Sequence, residues 1–113
     1  MDSQFMSERE KSMERDSQHA RTLHVKKGEL FSVNLWEDRT RGEQWVPTFD
    51  TKVCILVEDE FLRTISNNAV DSGRRRFEFQ VMEPGTHMIE FSKRMAWKFT
   101  EEDRRIFIIH VDM

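Results

Sequence analysis

From Leu23 onward, apolar and polar positions alternate in short runs. In residues 30–36, LFSVNLW, Phe31, Val33 and Leu35 point one way and Ser32 and Asn34 the other, the period-two pattern of a half-buried strand. Residues 76–82, RFEFQVM, repeat it, with Phe77, Phe79 and Val81 inward and Glu78 and Gln80 outward. Residues 52–58, KVCILVE, are apolar at successive positions, which predicts a strand covered on both faces or one near the domain centre. EPG at 83–85 is a compact turn signal, and THMIEFSKR at 86–94 reads as the return strand of a hairpin with residues 76–82. The β-branched and aromatic run RRIFIIHVDM, residues 104–113, predicts an inner strand that closes a sheet. No segment has the length and 3.6-residue period of a core helix, and TEEDRR at 100–105 has room for a single turn. About seven short strands separated by turn signals predict an all-β domain, an immunoglobulin-like β-sandwich.

Residues 1–22 break the pattern. They are rich in Ser, Glu, Arg, Gln and Asp, too polar to offset their chain entropy by burial, and are expected to form a disordered tail preceding a domain over 23–113. The whole chain of 113 residues is the size of one domain with a modest core. Its formal net charge of -3 comes from interspersed charges of both signs, which argues against nucleic acid as a partner. With Cys54 as the one cysteine, no internal disulfide can form, which suits a reducing compartment. The start has no basic segment followed by an apolar one, and no run approaches the roughly 20 apolar residues of a membrane span. The expectation is a soluble, cytoplasmic, monomeric protein with no membrane partner.

Catalytic and metal-binding patterns are missing. Cys54, within VCILV, is placed to be a buried thiol with a raised pKa rather than a nucleophile. His19, His24, His87 and His110 lack zinc-site spacing, and the four glycines are isolated, so no phosphate-cradling loop exists. No cofactor or metal is implied, and the chain is not expected to be an enzyme. The acidic groups at 58–60 and 101–103 read as solvated turns, and GRRRF at 73–77 as a basic strand entry that discourages edge-to-edge pairing. Trp45 leads into the next strand and is expected in the core, with Trp36 at the core's edge.

Three polar or aromatic segments remain between strands: EDRTRGEQW, NNAVDSGRRRF and SKRMAWKF. Connections that alternate along such a sandwich gather at one end, where loops on a rigid scaffold make a binding surface. In order and spacing, residues 26–111 resemble the chagasin-like inhibitors of papain-type cysteine proteases. The family's first loop, NPTTGYxW, is met by DRTRGEQW at 38–45, where Thr40, Gly42 and Trp45 match, Asp38 stands for Asn, and Arg39, Arg41 and Glu43 replace Pro, Thr and Tyr. The second, GxGG before an FxF strand, is met by VDSGRRRFEF, which keeps Gly73, Phe77 and Phe79 and places Val70 and Ser72 at the other glycines. The third, RPW after a strand opened by PGxH, is met by Arg94 and Trp97, with Met95 and Ala96 in place of the proline.

The resemblance implies a wedge whose three loops enter the active-site cleft of a papain-type cysteine protease. The protease-binding residues it implies are Asp38, Arg39, Thr40, Arg41, Gly42, Ser72, Gly73, Arg94 and Trp97. A second reading keeps the sandwich but gives its arginines, Arg39, Arg41 and 74–76, to the recognition of an acidic protein or peptide without inhibition.

Overall fold

The computed structural model describes residues 20–64, 72–95 and 101–113. Seven strands form two sheets: β1 (Arg21–Lys26), β2 (Leu30–Asp38), β3 (Glu43–Thr48), β4 (Cys54–Arg63), β5 (Ser72–Val81), β6 (Gly85–Met95) and β7 (Glu101–Asp112). One sheet runs β1-β7-β6-β3 and the other β2-β5-β4, with a 3-10 turn, Arg39–Arg41, between β2 and β3. All neighbours are antiparallel except β1, which lies parallel to β7. The all-β, immunoglobulin-like sandwich is as the alternation predicts. The expected tail lies almost wholly outside the described residues, and β1 begins at Arg21.

The core is the set of inward positions that period two marks. Phe77 and Phe79 of β5 and Phe91 of β6 are fully buried, and Phe107 of β7 lies behind them. Their rings meet between and within the sheets: Phe77 lies 5.0 Å from Phe91 across the two sheets, Phe107 lies 5.5 Å from Phe91 in the same sheet, and Phe49, just past β3, lies 5.3 Å from Phe79, the offset and edge-on spacings that aromatic quadrupoles favour. Val33, Val81, Ile89, Ile109 and Cys54 fill the gaps. β7 holds the inner position expected of it, between β1 and β6.

Four expectations are corrected. Residues 76–82 and 86–94 do not make a hairpin: β5 is flanked on both edges by β2 and β4, so the chain after EPG crosses to the other sheet and β6 pairs with β3 and β7. β4 is an edge strand rather than a doubly covered one. Cys54 faces the core, Ile55 and Val57 are about half exposed, and a bulge after Leu56 resets the register. The acidic groups lie on strands and not in turns, 58–60 within β4 and 101–103 opening β7, so residues 101–105 are strand and not the helical turn that TEEDRR has room for. The arginines at 74–76 sit on the central strand β5 and guard no edge: Arg75 and Arg76 pair with acids, and Arg74 lies between Trp36 and Leu62 of the neighbouring strands.

Candidate functional site

Strand ends define the site. β2, β4 and β6 finish, and β3, β5 and β7 begin, at the same end of the sandwich: Asp38 is opposite Ser72, Arg63 opposite Gly73, Glu43 opposite Met95, and Arg94 opposite Glu101. The three connections singled out in the sequence therefore leave from one end. The opposite end collects the others, tied by bonds from Gly28 N to Val81 O (3.0 Å) and from Met82 N to Val53 O (2.8 Å).

The first connection is fixed by its own short-range bonds. Asp38 has extended backbone (φ −101°, ψ 95°) and caps the 3-10 turn, its Oδ1 accepting from Thr40 N at 3.0 Å. Gly42 closes the turn in the left-handed region (φ 75°) and donates its N–H to Arg39 O at 3.0 Å. Asp38 N donates to Glu43 Oε1 at 3.1 Å across the base of the loop. Thr40 and Arg41 are exposed at the tip.

Beneath the turn lies a charge network that the sequence reading missed. Glu37 is fully buried, and its Oε1 accepts from Trp45 N (2.8 Å) and Arg75 Nη1 (2.9 Å). Its Oε2 accepts from Arg39 Nε at 2.9 Å. Arg75 also grips Asp59 through Nε and Nη2, the latter at 2.8 Å. Its guanidinium is held more firmly protonated than usual, first by the Asp59 hydrogen bonds and then by the charges of Glu37 and Asp59, against the cost of its burial. The signal was available. Glu37 continues the inward register Phe31, Val33, Leu35, and Arg75 continues Phe79, Phe77, so opposite charges fall on inward positions of paired strands.

Trp45 staples the two sheets at this end. It is 3% exposed, as expected of a core residue, and its Nε1 donates to Trp36 O at 2.8 Å. Lys93 and Arg105 place cations 5.6 and 5.7 Å from the ring centroid. Trp36 is not at the core's edge. Period two puts it on the outer face of β2, beside Arg74, and it is 58% exposed.

The remaining candidates divide by burial. Gly73 is buried where β5 passes so close to β4 that a Cβ would collide with the Leu62 carbonyl oxygen and lie 2.9 Å from Arg63 Cα. It shapes the entry to the second connection through its backbone. Ser72 is half-buried beside it, its carbonyl accepting from Thr64 N at 3.0 Å. Arg94 is exposed at the end of β6. Trp97 lies outside the described residues.

This end carries no arrangement for bond-breaking chemistry among the described residues. No group of three or more His, Cys, Asp or Glu there is placed to hold a metal ion. Cys54 is buried in the core, and burial, followed by the charge of Asp50, pushes its thiol up to about 11. What the end offers is shape: a short, internally bonded turn raised on a rigid base.

Two solved structures share this architecture. The cysteine protease inhibitor EhICP2 from Entamoeba histolytica superposes with a TM-score of 0.72 at 16% identity, over 85% of this chain and 90% of that one. PbICP-C, solved in complex with falcipain-2, superposes with a TM-score of 0.53 at 16% identity, over 83% and 87%. No curated protein matches in sequence. The family model of the chagasin family peptidase inhibitor I42 matches residues 24–111, nearly all of the sandwich. The chain therefore belongs to the chagasin family of peptidase inhibitors.

Proposed function

We propose that this protein inhibits papain-type cysteine proteases by lodging the loop end of the sandwich in the active-site cleft, with residues 38–42 over the catalytic thiol. The observation that carries the proposal is the capped turn. A protease takes its substrate as an extended chain, in the manner of an added strand. Residues 39–42 instead form a 3-10 turn closed by a left-handed glycine, with the Thr40 and Gly42 amides already bonded within the loop. Such a segment fills a cleft without presenting a scissile bond in attack geometry. Because its shape is set before binding, little ordering cost is left to oppose association. Family membership and the inhibitor nature of the structural relatives support the same function.

The alternative, a module for acidic partners, loses its main motive. Arg39 pairs with Glu37, Arg41 lies 3.5 Å from Glu43, Arg75 is held by Glu37 and Asp59, and Arg76 bonds Glu60 and Glu78 on the outer face of its sheet. These cations are largely neutralised by the chain itself.

Titrating several papain-type proteases with the purified protein tests the proposal. Competitive, stoichiometric loss of activity is expected, and no inhibition of any of them at micromolar concentrations would sink it.

A further inference from the structure

We propose that Arg39 is a positioning residue that holds the loop in its bound shape from below, and not a cation presented to the partner. This rests on the reading of residues 38–42 as the inhibitory loop. By resemblance, Arg39 is among the protease-binding residues of the loop. In the structure its side chain, 41% exposed, turns back from the tip against two elements. Its Nε donates to Oε2 of the buried Glu37 on β2 at 2.9 Å, and its guanidinium carbon lies 3.9 Å from the centroid of the Phe61 ring on β4. Glu37 is in turn fixed by Arg75 and by the Trp45 amide on the opposite sheet. The first residue of the turn is thus tethered to β2 and β4 directly and to β3 and β5 through Glu37. Its carbonyl is the one that receives the closing bond from Gly42. An arginine in contact with both a carboxylate and an aromatic face has few remaining rotamers, so the tether restrains the backbone that carries it.

The backbone at this position is also one that proline fits. Asp38 is extended, as a residue before proline prefers, and position 39 is the first of the turn, where the fixed φ of proline is favoured and no internal hydrogen bond needs its N–H. The family pattern has proline here. In this chain a side-chain tether replaces a ring as the source of stiffness.

The prediction separates stiffness from charge. Arg39→Ala is expected to weaken inhibition about tenfold, the size of one restored ordering cost, and to speed hydrogen exchange at the Thr40 and Gly42 amides. Arg39→Pro removes the charge but restores the restraint, so its inhibition should return to near the wild-type value although it loses the same ion pair. Phe61→Leu, which leaves the loop sequence intact and removes the ring under the guanidinium, should shift exchange and inhibition in the same direction as Arg39→Ala. If Arg39→Pro inhibits as poorly as Arg39→Ala while Phe61→Leu inhibits like wild type, Arg39 is a contact and the proposal is overturned. If the wild-type protein inhibits no protease, the functional reading fails, and exchange at Thr40 and Gly42 still decides this one: unchanged rates in Arg39→Ala and Phe61→Leu refute the tether.

Discussion

Gly42 and Cys54 show how single positions in this small domain take opposite parts, one in shape and one in the core. Gly42 holds φ at 75°, a conformation that costs a residue with a Cβ about 1 kcal/mol. Gly42→Ala is therefore expected to lower Tm slightly in calorimetry and to weaken protease inhibition more than the stability loss explains, because the strain falls on the loop. Cys54 packs beside Val81 on β5, and its thiol is raised from 9.0 to about 11 by burial and by Asp50. In the unfolded chain the thiol ionises first, so its contribution to stability is fully present below pH 9 and is lost as pH rises through about 11. Urea unfolding across that window should show the decline. Iodoacetamide at mildly alkaline pH should leave native Cys54 unmodified and label it once the chain is unfolded; rapid labelling of the native protein would contradict its burial.

Among the elements, β2 and β5 carry both the scaffold and the support of the loop. Glu37→Ala removes the acceptor for Arg75, Arg39 and the Trp45 amide together, and breaking such a buried pair costs about 3 kcal/mol or more. Gly73→Ala forces a side chain into the Leu62 backbone and should cost roughly 3 kcal/mol by overpacking. Both are measurable by denaturant titration; a neutral Glu37→Ala would mean that the buried charge network does not hold the loop end together, and a neutral Gly73→Ala that β5 and β4 are less closely apposed than their contact implies. Period two in the sequence told which side chains of β2 and β5 face inward, and thereby named Phe77, Phe79 and Val33 as core. It could not tell partners: β5 and β6 alternate equally well whether they pair with each other or lie in different sheets. β4 misled because its apolar run reflects strand propensity at an edge, where Ile55 and Val57 remain half exposed. Glu37 and Arg75 escaped for a related reason, since each charge reads as solvated until the pairing of β2 with β5 brings the two inward positions together.

At the scale of the molecule, the sandwich keeps its two ends distinct. One end closes on itself through main-chain bonds at Gly28 and Met82, and at the other the turn at 39–42 stands over a base of buried charge and the Trp45 staple. Strand direction alternates along the chain, so the β2–β3, β4–β5 and β6–β7 connections leave from one end, and that gathering was legible once a sandwich was expected. The resemblance in Thr40, Gly42 and Trp45 then pointed to what the end does. Division of labour within the loop was not legible: Arg39, by resemblance one of the protease-binding residues, is held against Glu37 and Phe61. The most direct measurement is amide hydrogen exchange on this protein alone and with a saturating papain-type protease. Slowed exchange is expected at Thr40, Gly42, Ser72 and Arg94, with the turns at 27–29 and 82–85 unchanged. Protection confined to those distal turns, or to the outer face of the β2-β5-β4 sheet with the loop end unaltered, would contradict the account.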